Sequence, residues 1–177
     1  MKVVGFLQNA WSPHYAGRHW PRERWLWALA NSRTGQRLRT LEKECENRIE
    51  FYWENTTPVC GMSPSSVIAP DMRHMVEVVQ RERPKYLVSF GQQAERAVRE
   101  LMYRCPWLIL PHPAYRVVTN ELFREAGKLL AGRMGLNGIT RLVQLKDGVW
   151  KEHLADRADF PECEAFWSRK ARQKVAV

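Results

Sequence analysis

Four short apolar segments, separated by longer segments with helical periodicity, constrain the fold of this sequence more than any other feature. They are KVVGFLQ (residues 2–8), IEFYW (49–53), YLVSF (86–90) and WLIL (107–110). Each is short and rich in β-branched or aromatic residues, which favours a strand over a helix. Because they are apolar throughout rather than alternating, they predict strands of a parallel sheet that is buried on both faces.

The segments between these strands predict amphipathic helices. We expect one helix from Pro21, one at about 34–47, one at 71–83, one after Gly91 and one capped by Thr119 or Asn120. Strands that alternate with helices indicate a sheet covered on both faces. Near the end, ITRLVQL and VWKEH flank the turn residues Asp147-Gly148, which predicts a hairpin. The sequence therefore predicts an α/β fold, a three-layer α/β/α sandwich with a four-stranded, mainly parallel central sheet and a C-terminal β-hairpin.

The length of 177 residues corresponds to a single domain. We expect this domain to span 1–177, with its core at about 2–134 and the hairpin and a basic tail at 139–177. No apolar stretch approaches the roughly 18 residues of a membrane span, and the residues after Met1 lack the layout of a signal peptide. These patterns predict an intracellular, cytoplasmic protein without membrane contact, which we expect to be a monomer.

The cysteines are widely spaced, at Cys45, Cys60, Cys105 and Cys163. No two of them have the spacing of a zinc ribbon or a redox-active CxxC pair. Together with the expected intracellular location, this spacing predicts ordinary reduced thiols, no metal site and no cofactor.

The chain is strongly basic, with 28 Lys and Arg against 19 Asp and Glu, a formal net charge of +9, and eight tryptophans. A basic domain rich in aromatic residues predicts a polyanionic partner, with nucleic acid as the first candidate. Several basic residues surround the predicted N-terminal helices: Arg18, Arg22, Arg24, Arg33, Arg37 and Arg39. Such residues can bind phosphates with a strong dependence on salt, or they can form a solvated helix face.

Polar residues follow each of the four predicted strands. The segments are Gln8-Asn9-Ala10-Trp11, Glu54-Asn55-Thr56, Gly91-Gln92-Gln93-Ala94 and His112-Pro113-Ala114-Tyr115. Ligands of open parallel sheets bind beyond the carboxyl ends of the strands, so these segments are expected to share one edge. They contain no evident nucleophile, paired carboxylates, Walker loop or GxGxxG motif. This edge is suited to hydrogen bonding with a planar polar ligand.

The order and content of these four segments resemble the uracil-DNA glycosylase superfamily. LQNAW stands where the family has GQDPY, or GINPG in its mismatch-specific branch, and WENT stands where it has a run such as LLNT. Gly91 to Ala94 match a Gly-x-x-Ala helix start, and His112-Pro113 match the His-Pro dipeptide that opens a loop entering the minor groove. The segment AYRVVTNELFREAGKLL is similar to the continuation of that motif in the iron–sulfur branch. The resemblance covers about residues 2–132.

This resemblance implies a monofunctional DNA glycosylase that flips uracil or a modified pyrimidine out of single- or double-stranded DNA. Asn9 would hold the attacking water and His112 would donate a hydrogen bond to the departing base. The implied substrate-binding residues are Gln8, Trp11, Tyr15, Asn55 and Gly91, of which Asn55 would read the edge of the base. The implied DNA-binding residues are Arg18, Arg22, Pro113, Tyr115 and Arg116. No lysine falls within these motifs, which implies hydrolysis without a Schiff base.

The sequence also departs from the family pattern. Leu7 and Ala10 replace the glycine and proline that shape the first loop, and Trp11 stands where the family has a tyrosine that excludes thymine. The cysteines lack the spacing of the iron–sulfur branch, so no cluster is expected. Two other functions are therefore considered: a non-catalytic member of the fold that binds nucleic acid or a nucleotide, and an enzyme acting on free nucleosides or nucleotides.

Each proposed site residue also has a purely structural interpretation. Asn9 can bond its own turn, Asn55 can be an ordinary loop residue, and His112 can simply begin a proline-flanked turn. The aromatic residues of the first loop can pack that loop. Trp25, Trp53 and Trp107 are expected to lie in the core.

Overall fold

A computed structural model describes residues 1–46, 48–132, 136 and 138–155. Along the chain, the elements are β1 (Lys2–Leu7), a short 3-10 turn (Pro13–Tyr15), α1 (Arg22–Ala30), α2 (Arg33–Lys43), β2 (Glu50–Asn55), α3 (Met72–Glu82), β3 (Tyr86–Phe90), α4 (Gln92–Leu101), β4 (Trp107–Leu110), α5 (Asn120–Leu130), β5 (Ile139–Leu145) and β6 (Gly148–Ala155). Cys163 and most of the predicted basic tail lie outside the described residues.

The strands form one six-stranded sheet in the order β2-β1-β3-β4-β5-β6. The first five strands in this order are parallel to their neighbours, and β6 is antiparallel to β5. The predicted α/β class and C-terminal hairpin are confirmed, but the prediction of a four-stranded central sheet is wrong. The reason is that β5 of the hairpin pairs with β4 from Trp107↔Ile139 onward, which satisfies a backbone edge that would otherwise be open.

Two apolar clusters pack against the two faces of the sheet. On one face, helices α1, α2 and α5 supply residues such as Trp25, Leu41 and Phe123. On the other, α3 and α4 supply residues such as Met75 and Val98. Neighbouring strand residues alternate between these clusters, so every side chain of β4 is buried. This arrangement explains why the strands are apolar throughout, and it forms the predicted three layers.

The helix boundaries follow local capping chemistry. The Ser32 side chain accepts a hydrogen bond from the Gly35 N–H and starts α2, while Asp71 does the same for α3 through the His74 N–H. Helix α2 ends at Lys43, earlier than predicted, and β2 continues through Asn55 rather than ending at Trp53. The predicted limits of β3 and β4 are confirmed.

The strand order places a topological switch point between β1 and β3. The chain leaves β1 toward β2 on one side, whereas it leaves β3 toward β4 on the other. Open parallel sheets bind ligands in the crevice that such a reversal creates. Among the described helices, none has both the length and the apolar character needed to cross a bilayer.

Candidate functional site

The carboxyl ends of the first four strands lie at one edge of the sheet, as predicted. Leu7 is the register partner of Asn55, and Phe90 is the partner of Leu110. Asn9 therefore follows β1 by two residues beside the last residue of β2. Neighbouring strand ends are roughly 4.8 Å apart, so these polar residues occupy a row along one edge of the sheet.

Gly91 and His112 are in direct contact at this edge. Gly91 has a φ of +84°, and a Cβ atom added to it would lie 3.1 Å from the His112 Cβ. The Gly91 N–H also donates a hydrogen bond of 2.8 Å to the Leu110 carbonyl, which joins β3 to β4 just before His112. A glycine is required both by the backbone angle and by the close approach of the imidazole.

The hydrogen bonding of His112 defines its tautomer. The Ala114 N–H donates to His112 Nδ1 over 3.1 Å, so this nitrogen is an acceptor. Burial lowers the pKa of His112 to about 4, which leaves the ring neutral at pH 7. A neutral imidazole that accepts at Nδ1 carries its proton at Nε2. His112 therefore presents an Nε2–H donor without a positive charge.

Asn9 is held against the loop that follows β2. Its Nδ2 donates to the Ala10 carbonyl over 3.0 Å and lies 3.1 Å from the position that a Cβ of Gly61 would occupy. Short bridges such as Trp11↔Gly61 join the two loops. The Asn9 Oδ1 is buried and has no hydrogen-bond partner among the described residues. Buried acceptors are nearly always paired, so this unpaired oxygen is an exception that its own turn does not explain.

Asn55 is buried, with 6% of its surface exposed, and it lines a cavity of about 380 Å³ beside the edge strand β2. Of the other predicted residues, Arg22 also lines this cavity. Gln8 is not among the lining residues; its carbonyl accepts a 3.2 Å hydrogen bond from the Thr56 N–H, which ties the end of β1 to the end of β2. Asn9, Gly91 and His112 stand at the neighbouring strand ends, outside the lining of this cavity.

Glu54 is a buried acidic residue of the same cavity that the motifs did not single out. One carboxylate oxygen accepts a 3.0 Å hydrogen bond from the Asn55 N–H and lies 3.9 Å from His74 Nε2. The other lies 3.5 Å from Arg22 Nε. The only signal available in the sequence was its position immediately before Asn55.

The predicted aromatic residues have different environments. Trp11 is 48% exposed at the mouth of the first loop. Tyr15 stacks on Trp20, with ring centroids 5.4 Å apart, so one face of its ring is already covered. The expectation for the core tryptophans is confirmed, because Trp25, Trp53 and Trp107 are all buried.

Several of the arginines near the N-terminal helices make hydrogen bonds or ring contacts within the protein. Arg22 lies 4.1 Å above the Tyr52 ring and donates to the Trp53 carbonyl over 3.2 Å. Arg24 donates to the Tyr15 hydroxyl over 2.6 Å. Arg18 is exposed. Of the predicted DNA-binding arginines, Arg22 is held in these contacts, whereas Arg18 and Arg116 are exposed and are the candidates for a phosphate.

Arg37 does not belong to a solvent-facing phosphate site. It is 7% exposed, and its guanidinium donates to the carbonyls of Pro113, Tyr115 and Val118. This buried side chain ties α2 to the loop after β4. The prediction that Arg37 binds phosphate or lies on a solvated helix face is wrong for this reason.

The loop that follows His112 has a buried base and an exposed tip. Pro113 is buried, so its ring is not positioned for the predicted DNA contact. Tyr115 is 53% exposed, Val117 is 77% exposed and Arg116 is also exposed. The tip, rather than Pro113, is the part of this loop that can reach a duplex.

Metal chemistry has no evident support at this edge. Within the described ranges, no group of three or more His, Cys, Asp or Glu side chains is placed to hold a metal ion. Cys45, Cys60 and Cys105 are buried thiols.

The protein matches no known family model, and no curated protein or solved structure is significantly similar to it, so the family assignment stays a prediction from its motifs.

Proposed function

We propose that this protein is a DNA glycosylase that hydrolyses the N-glycosidic bond of a flipped uracil or modified pyrimidine. The observation that carries the proposal is the state of His112. Its Nδ1 accepts from the Ala114 N–H, and burial lowers its pKa to about 4. The ring is thus a neutral Nε2–H donor at the strand edge.

Such a donor suits the chemistry of a departing base. The bond between the sugar C1′ and the base nitrogen breaks with its electron pair leaving on the base, which becomes an anion. A fixed hydrogen-bond donor at the base O2 stabilises this charge as it develops, and therefore acts mainly in the transition state. A neutral donor also avoids the penalty of burying a cation.

Asn9 is suited to holding the attacking water. Its Oδ1 makes no hydrogen bond to the described residues, and a rotation of the side chain toward the substrate would let it accept one from the water, whose oxygen then bonds to C1′ of the cationic sugar. An amide does not remove the water proton strongly, so the proton passes to solvent once the new C–O bond forms. The departed base anion takes up a proton from solvent, so one water is consumed in all and the products are an abasic site and a free base.

Asn55 supplies the complementary edge for the base. Its side-chain amide offers one donor and one acceptor, the pattern needed for the O4 and N3–H of uracil or thymine. It lines the cavity with Arg22 and Tyr52, and the register of β1 with β2 holds it beside the Asn9 loop.

The test is excision from labelled oligonucleotides that contain uracil or a 5-modified pyrimidine, in single- and double-stranded form. Abasic sites are detected by strand cleavage in alkali. Loss of the His112 donor in His112→Ala is expected to lower the rate by roughly 10²–10³-fold. Asn9→Ala is expected to lower it by about 10²-fold through misplaced water. Asn120→Ala, on the exposed start of α5, is the matched control. A folded protein that releases no base from any of these substrates would refute the proposal.

The second candidate is a non-catalytic binder of nucleic acid or nucleotides with the same pocket. It is favoured by one observation, the neutral amide of Asn9 at the position where the family more often has a carboxylate. Binding of a base-modified oligonucleotide without turnover, unchanged in Asn9→Ala, would favour this function over the glycosylase.

A further inference from the structure

A shallow aromatic depression lies between the first loop and helix α1. Its volume is about 620 Å³, and the residues that line it include Tyr15, Trp20, Trp27 and Arg24. Trp27 is the most exposed tryptophan of the described chain, with 72% of its surface accessible. A depression with aromatic walls and one aromatic side chain this exposed is typical of a contact surface.

The internal contacts hold this surface in a fixed shape. Tyr15 and Trp20 are stacked with an interplanar angle of 17°, and Arg24 holds the Tyr15 hydroxyl. Trp20 also packs against the core cluster that contains Trp25. Trp27 projects from α1, which is anchored by the buried Trp25. The depression thus has rigid walls and one exposed, flat aromatic side chain.

The aromatic walls of the depression and the basic residues near it favour a nucleic acid as its occupant. Arg24 lines it, the exposed Arg18 lies in the adjoining loop, and the whole chain carries a net charge of +9. Glu23, also among the lining residues, offsets the charge of Arg24, so the positive excess beside the depression comes from Arg18 and from the net charge of the chain. Positive charge next to flat aromatic faces is the combination by which proteins bind unpaired bases and their phosphates.

We propose that this depression binds one or two unpaired bases of single-stranded DNA, with Trp27 as the stacking surface and Arg24 and Arg18 beside the phosphates. This proposal rests on the proposed function, since the bound strand would be the one whose base is excised. Ser12 joins the two sites, because it lines the depression and belongs to the loop that contains Asn9. A strand whose reacting base enters the strand-edge site would then place neighbouring bases on Trp27. Stacking of this kind is available to an unpaired strand and not to an intact duplex.

The test measures binding to a fluorescent oligothymidylate of roughly ten nucleotides, alone and annealed to its complement, by anisotropy. Neither probe contains uracil or a modified base, so the result is independent of excision. Trp27→Ala is expected to weaken single-strand binding by roughly 5- to 150-fold and to leave duplex binding unchanged. Trp27→Phe, which keeps a smaller ring, is expected to fall between wild type and Trp27→Ala.

Trp150→Ala is the matched control, because Trp150 is another tryptophan that is 59% exposed, on β6. It is expected to bind both probes as the wild type does. Equal affinity of wild type and Trp27→Ala for the single strand would overturn the proposal. The depression would then be a candidate surface for a protein partner. Equal weakening of single-strand and duplex binding would overturn it as well. If the wild type excises no base in the separate assay with uracil-containing oligonucleotides but binds the single strand through Trp27, the glycosylase proposal is refuted and the role of the depression is supported.

Discussion

Arg37 Nη1 donates a hydrogen bond of 2.8 Å to the carbonyl oxygen of Tyr115, and this bond joins helix α2 to the loop that begins at His112. The same guanidinium binds the carbonyls of Pro113 and Val118. Burial lowers the pKa of Arg37, and the neighbouring charge of Arg33 lowers it further. A buried cation of this kind is retained where several carbonyls in a tight loop need donors. Arg37 is thus a positioning residue for the loop of the candidate site.

Replacing Arg37 is expected to loosen this loop. Arg37→Met keeps the apolar stem but leaves three carbonyls without their donor, and the expected loss of unfolding free energy is about 2 kcal/mol. Arg37→Lys is expected to restore only part of it, because an ammonium does not reproduce the planar fork of donors. Urea unfolding measures the stability, and excision assays measure the effect on His112. Arg39→Met is the control, since Arg39 is exposed and bonds the Ala30 carbonyl. Equal stability of both methionine variants would contradict this role.

Gly91→Ala is expected to disturb His112 directly. The substitution adds a Cβ 3.1 Å from the His112 Cβ, at a φ of +84° that side chains rarely adopt. We expect a loss of about 1–2 kcal/mol in unfolding free energy and a fall in excision rate of roughly 10-fold or more. Gly17→Ala separates the two causes, because Gly17 has a φ of +70° but no atom within 4 Å of its Cβ position. It is expected to show the backbone penalty alone, with excision unchanged. Equal excision by the two variants would contradict the contact argument.

Features that leave a local pattern in the sequence were predicted, whereas those that depend on contacts between distant residues were not. The apolar runs of β3 and β4 predicted their strand limits because burial on both faces leaves a local pattern. The roles of Arg37 and Glu54 depend on partners that are distant in the chain, such as Val118 and His74. Arg37 resembled a surface cation in the sequence, since local pattern does not reveal a long-range cluster of carbonyls. The pairing of β5 with β4 was missed for the same reason.

Stability is expected to depend on the pH through His112. Burial lowers the pKa of His112 in the folded protein to about 4, from an ordinary value of about 6.5 in the unfolded chain. Between these values the unfolded state binds a proton that the folded state does not, so stability is full above about pH 6.5 and falls toward pH 4. The expected loss is up to about 3 kcal/mol. It is measured as the difference between wild type and His112→Gln in urea unfolding at several pH values. A constant difference over this range would show that burial does not keep the imidazole neutral.

Glu54 is expected to hold Asn55 in place. Glu54→Ala removes the acceptor of the buried Asn55 N–H and the ion-pair partner of the exposed Arg22. We expect a loss of about 1–3 kcal/mol in unfolding free energy and a higher KM, with a smaller change in kcat, because the proposed function has Asn55 contact the base in both the ground and the transition state. Glu54→Gln keeps a side-chain carbonyl for the Asn55 N–H and is expected to restore KM even though it loses the charge. Glu100→Ala, an exposed glutamate of α4, is the control for removing a negative charge. A kcat loss with unchanged KM in Glu54→Ala, not restored by Gln, would instead place the Glu54 carboxylate in the chemical step.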